Sequence, residues 1–239
     1  MNIKSTLLAL STAAMLAGGA AQAGELITNG GFENGTVGQL GYNASVPGWY
    51  NGNGYNFLFN ATGADTTGTI SEYGPLKLWG PGNGSDNGLT ASPAGGSFIA
   101  ADGGFQIGPI SQMVNGLVPG QQYTLSFYWA GAQQYGFDGP TTEKWVVGFG
   151  SNSQETAVRD NLDHGFTGWQ KETMTFTAAN TSEALSFLAI GTPSGVPPFS
   201  LLDGVSMTAA VPEPSTWAML ALGLGVLGFS ARRRKAGAA

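Results

Sequence analysis

The one histidine of this 239-residue chain, His164, stands beside Asp163 and ahead of Gly165-Phe166-Thr167-Gly168-Trp169. A nucleophilic triad would rest on that single base, yet adjacent side chains point in different directions and no Gly-x-Ser-x-Gly elbow precedes it. One histidine also excludes metal sites built on two or three imidazoles, and the absence of cysteine excludes thiol catalysis and thiolate metal centres. Glycoside hydrolysis needs only two carboxylates at the correct separation, and Glu72, Asp102, Asp138 and Glu143 are available for it. Aromatic rings offer a non-covalent chemistry, because the apolar face of a pyranose stacks on a flat ring while amides and carboxylates take the hydroxyls. Trp49, Tyr50, Tyr55, Trp79, Tyr128, Tyr135 and Trp145 are candidates. Tyr50, Tyr55, Trp79 and Tyr135 lie in Gly- and Asn-rich, loop-like surroundings that favour exposure, so they are the expected glycan contacts. Phe127 and Trp129 are expected in the core.

The elements that must position these residues are strands. After the Val118-Pro119-Gly120 turn, Tyr123, Leu125, Phe127 and Trp129 alternate with Thr124, Ser126, Tyr128 and Ala130, the period of a strand with one buried face. Shorter runs at 106–114, 144–149, 169–177, 183–190 and 201–208 are separated by turn residues, and no helical period is sustained between 24 and 210. Many short strands predict an all-β fold, a β-sandwich of jelly-roll type. Its first half reads as loops at 51–54 and 80–88, where glycine permits positive φ and Asn or Asp can bond its own backbone.

Both ends of the chain read as addresses. Lys4, an apolar stretch over 7–17 and Ala21-Gln22-Ala23 form a signal peptide over 1–23, a substrate of signal peptidase. At the other end the uncharged run 215–231 would make a transmembrane helix of roughly 25 Å, the lower limit for a bilayer span. Arg232, Arg233, Arg234 and Lys235 follow and act as a membrane stop that keeps their end in the cytoplasm. Between the two ends, 24–210 carries positive charge only at Lys77, Lys144, Arg159 and Lys171 against a large excess of acids, so nucleic acid is not expected as a partner.

Upstream of the apolar run stands Val211-Pro212-Glu213-Pro214-Ser215-Thr216-Trp217, stiff and extended because two prolines flank one carboxylate. Pro-Glu-Pro, a thin apolar helix and a basic cluster, together spanning 211–235, resemble the PEP-CTERM sorting signal of Gram-negative bacteria. The resemblance implies that an exosortase of the inner membrane cuts near Pro212, Glu213 and Pro214. The protein would then be held transiently in that membrane and end at the cell surface or in an exopolysaccharide matrix.

A second resemblance concerns 24–210. Leu26-Ile27-Thr28-Asn29-Gly30-Gly31-Phe32-Glu33, Pro47-Gly48-Trp49, the turn Gly116-Leu117-Val118-Pro119-Gly120 and Leu201-Leu202-Asp203-Gly204-Val205-Ser206 resemble carbohydrate-binding modules of the galactose-binding-like jelly-roll type. That family more often has two acids where this chain has Asp203-Gly204. The resemblance implies that first and last strands run together, which would bring Glu33 and Asp203 near each other as hard oxygen ligands for a structural Ca²⁺. The expected function is therefore a non-catalytic, exported β-sandwich that binds glycan or builds the exopolysaccharide matrix, and the alternative is a glycan-active hydrolase using paired carboxylates.

Overall fold

A computed structural model describes residues 24–210. The predicted signal peptide 1–23 and the sorting signal 211–235, with Pro212, Glu213, Pro214 and the cluster Arg232, Arg233, Arg234 and Lys235, lie outside the described residues. Among the described residues no helix is long and apolar enough to cross a membrane.

The chain forms strands β1 (Gly38–Gln39), β2 (Tyr50–Asn51), β3 (Asn56–Asn60), β4 (Thr69–Ser71), β5 (Gly74–Leu76), β6 (Ser97–Asp102) and β7 (Ile110–Asn115). It continues through β8 (Gln122–Gln133), β9 (Thr141–Phe149), β10 (Asn152–Glu155), β11 (Arg159–Asn161), β12 (Gln170–Thr177), β13 (Ser182–Thr192) and β14 (Pro198–Ala209). One sheet has the order β1-β3-β6-β14-β8-β12, and the other β10-β9-β13-β7-β2 with β11 also paired to β9. From β6 to β9 each successive strand changes sheet, and so do β12, β13 and β14, which is the jelly-roll succession. The N-terminal segment lies beside the last strand, where the Leu26 N–H donates 3.0 Å to Met207 O and the Val205 N–H donates 2.9 Å to Gly30 O.

Strict alternation along β9, with Trp145, Val147 and Phe149 inward, and along β8, with Leu125, Phe127 and Trp129 inward, builds the core between the sheets. Phe187 of β13 sits at its centre, edge-on to Phe127 at 5.1 Å and to Trp145 at 5.9 Å. The expected strand at 106–114 begins only at Ile110. Gly108 keeps its predecessor segment against 52–54 instead, because a Cβ there would meet Gly52 O at 2.4 Å and Gly54 N at 2.6 Å.

The first half differs most from expectation. Asn56-Phe57-Leu58-Phe59-Asn60 and Ser97-Phe98-Ile99-Ala100-Ala101-Asp102 are strands, and their apolar runs do not alternate because both faces are buried. Leu58, Ile99 and Leu202 face the inter-sheet core, whereas Phe57, Phe59, Phe98, Phe199 and Leu201 point outward into a second core. Segment 61–89 folds over that outer face and seals it with Ala64, Leu76, Leu78 and Leu89, while Phe166 and Trp169 close one side. Its polar side chains satisfy the irregular backbone: Asn83 Nδ2 donates to Asp65 O at 2.8 Å and Leu78 O at 2.7 Å, and Asn87 Nδ2 donates to Trp79 O at 3.0 Å. The Gly- and Asn-rich stretch is thus an ordered cover, with the side-chain amides supplying hydrogen bonds that a ladder would otherwise give.

Candidate functional site

One end of the sandwich carries an aromatic cleft of about 270 Å³. Tyr55 enters β3, Asp102 ends β6, Gln134 and Phe137 follow β8, and Tyr73 comes from the turn between β4 and β5. Tyr55 and Phe105 meet edge-on at 5.3 Å, and Tyr73 lies 5.9 Å from Tyr55 and 5.8 Å from Phe105. Tyr73 is 64% exposed and Phe105 43%, so their faces are open to a ligand. Asp102 Oδ1 accepts the N–H groups of Gly104 at 2.7 Å and Phe105 at 3.0 Å, an arrangement that holds the Phe105 loop against the cleft. Burial lifts the Asp102 carboxyl to about 6 despite those two donors. Rings beside a carboxylate and an amide suit the stacking and hydroxyl recognition that sugars need.

The four aromatics expected to contact glycan fall in three places. Tyr55 forms the floor of this cleft; it is only 5% exposed, because its ring is the inner member of the aromatic cluster rather than a free loop side chain. Tyr50 is 66% exposed and borders a separate depression with Leu40 and Trp49. Trp79 and Tyr135 meet each other at 4.5 Å, and Trp79 stacks on His164 at 3.8 Å. Tyr73, Phe105 and Phe137 were not picked out from the sequence, although each is an aromatic within two residues of a glycine in a loop.

The four carboxylates considered for hydrolysis do not share a cleft. Asp102 lies in the aromatic cleft, and Glu72 borders a neighbouring one, where it accepts from Gln39 Nε2 at 3.3 Å. Asp138 pairs with His164 at 2.6 Å. Glu143 points between the sheets, fully buried, and burial pushes it up to about 8.

Glu33 and Asp203 lie close enough that the charge of Glu33 is one of the causes raising Asp203. Asp203 is fully buried; it accepts the Ser92 hydroxyl on Oδ2 and the Gly204 N–H on Oδ1, and burial above all lifts it to about 7. Glu33 accepts the Ser97 N–H at 3.1 Å. Among the described residues neither carboxylate has a lysine or arginine partner. An all-oxygen set without a counter-charge fits a hard cation such as Ca²⁺. Gly204 explains the missing second acid: its φ is +59° at the β14 bulge, and a Cβ would stand 2.9 Å from Ala94 Cβ and 3.0 Å from the Tyr128 ring.

Similarity to solved structures runs through the whole sandwich at low identity. A carbohydrate-binding module of family CBM4 is 16% identical, with 77% of this chain and 99% of that one covered and a TM-score of 0.35. A CBM61 module in complex with β-1,4-galactotriose is 14% identical over 79% and 100%, with a TM-score of 0.39. The CBM22-1 xylan-binding domain of Xyn10C from Paenibacillus barcinonensis is 12% identical over 80% and 97%, with a TM-score of 0.36. Among curated proteins none matches the chain. Residues 210–235 match the PEP-CTERM protein-sorting motif, which implies export, membrane anchoring before processing, and exosortase as the processing enzyme.

Proposed function

We propose that this protein is an exosortase substrate whose β-sandwich binds glycan without cleaving it, at the cell surface or in the exopolysaccharide matrix. The observation that carries the reading is the end cleft, where Tyr73 and Phe105 present open ring faces beside Asp102 and Gln134. A signal peptide over 1–23 starts the export, and the basic cluster after 231 holds the chain in the inner membrane until Pro-Glu-Pro is processed. Glu33, Asp203 and the Ser92 hydroxyl would hold a structural Ca²⁺ that ties the first turn to the last strand.

The test uses the purified full chain in detergent, passed over immobilised exopolysaccharide from the producing cells. Retention with no new reducing ends is expected, and Tyr73→Ala with Phe105→Ala should weaken it by about 10-fold or more, since each stacked ring contributes on the order of 1 kcal/mol. New reducing ends would establish the hydrolase reading instead. Retention unchanged in the double variant would remove the cleft from the function.

A further inference from the structure

Two loops at one end of the sheets converge on a second site. Loop 134–140 follows β8 and carries Asp138, and loop 162–169 follows β11 and carries Asp163 and His164. His164 Nε2 lies 2.6 Å from Asp138 Oδ1 and 3.4 Å from Asp163 Oδ1, and all three ligand atoms fall within 4.8 Å of one another. Four-coordinate zinc with bonds of about 2.0–2.1 Å separates its ligand atoms by about 3.4 Å. Asp163 and His164 already have that spacing, and Asp138, 82% exposed, is free to swing outward by the remainder.

The residue that carries the imidazole is pinned through its backbone. His164 adopts φ +55°, its main-chain N–H donates to Gln133 Oε1 at 2.6 Å, and its main-chain carbonyl accepts from Ser85 Oγ and Asn87 Nδ2, each at 2.8 Å. The ring stacks on Trp79 with planes 29° apart. Gln133 is fully buried, and its other arm donates to Gly139 O at 2.7 Å, so one amide ties both ligand-bearing loops together. The Gly139 N–H in turn donates to Asp163 Oδ1 at 2.6 Å. The Gly139 N–H thus orients the Asp163 carboxylate before any ion arrives, and the fixed backbone with the Trp79 ring places the imidazole.

The charge balance also calls for a cation. Two carboxylates face one imidazole, Asp86 and Asp160 line the same cleft, and among the described residues no lysine or arginine pairs with any of them. The imidazole nitrogen selects a borderline metal over calcium, which takes oxygen ligands. We infer that His164, Asp138 and Asp163 bind one divalent borderline metal ion, of which Zn²⁺ is the type, leaving a position open to solvent. The ion clasps the two loops and sets the face of Trp79 that stacks on its ligand.

The full chain, made without a histidine tag, stripped with chelator and kept in detergent, is titrated with ZnCl₂ and followed by calorimetry and tryptophan fluorescence. One equivalent should bind, undisplaced by Ca²⁺, with a change in emission because Trp79 lies on the ligand ring. His164→Asn, chosen because asparagine tolerates the left-handed backbone, and Asp163→Asn should each weaken binding by about 10-fold or more. Trp79→Phe should bind and lose the emission change. A silent titration to about 1 mM zinc, or binding that survives in both ligand variants, overturns the site and leaves His164 as a hydrogen-bonding partner of the neighbouring carboxylates.

Discussion

The indole N–H of Trp145 donates 3.1 Å to the backbone carbonyl of Leu201, from β9 in one sheet to β14 in the other. Both residues are fully buried, and the ring also packs edge-on against Phe187. The bond therefore joins the two layers through the dry core, where an unmade partner is costly. Trp145→Phe removes the donor and leaves a void, at a cost of about 2–3 kcal/mol. For a domain of this size that lowers Tm by roughly 4–12 °C. Thermal unfolding followed by near-UV circular dichroism checks it, and a shift below about 2 °C would show that the link contributes little.

Stability should fall as pH rises, the reverse of ordinary salt-bridged carboxylates. Burial raises Asp102 to about 6, Asp203 to about 7 and Glu143 to about 8. A carboxyl with a raised folded-state pKa holds its proton more tightly when folded, so its contribution is complete below the unfolded pKa and disappears as pH climbs through the folded one. The window runs from about pH 4 to about pH 8. Glu143 makes the largest part, since burial outweighs the Thr141 hydroxyl, which its Oε1 accepts at 2.5 Å and which favours the charged form. In chelator, wild-type Tm should decline between about pH 4 and pH 8, and Glu143→Gln should flatten the decline while matching wild type at the acid end. A wild-type Tm that rises over this range would contradict the buried-acid account.

Calcium should reverse part of that decline. Binding to Asp203 requires the ionised form, so added Ca²⁺ should raise Tm more at about pH 8 than at about pH 5.5. Asp203→Asn should abolish the response and Glu33→Gln should reduce it. An equal rise in wild type and Asp203→Asn would place the ion elsewhere.

Replacing Pro212, Glu213 and Pro214 by alanine should leave an uncleaved, membrane-held chain in producing cells. Fractionation and immunoblotting read the outcome. Normal release of the variant would refute processing at this motif.

The strands of the second half were legible because β8, β9 and β12 each meet the core with one face, and a period of two then shows directly in Tyr123, Leu125, Phe127 and Trp129. β3 and β6 were missed for the converse reason. Their sheet is covered on both sides, so Phe57-Leu58-Phe59 and Phe98-Ile99-Ala100-Ala101 have no polar face to mark a period. Tyr73 of the end cleft was equally hidden, because its loop comes to Tyr55 only when 61–89 folds over the outer face of the first sheet.

The sequence by itself determined that the chain is exported and anchored before processing, since the sorting motif at 210–235 is a linear signal whose meaning lies in the order of its residues. It also determined the sandwich, through alternation that only a half-buried strand requires. Only the tertiary structure decided which side chains meet. Asp138 and His164 are 26 residues apart, and Trp79 and His164 stand still further apart in the chain; they converge because the ends of β8 and β11 flank the start of β9, a consequence of strand register.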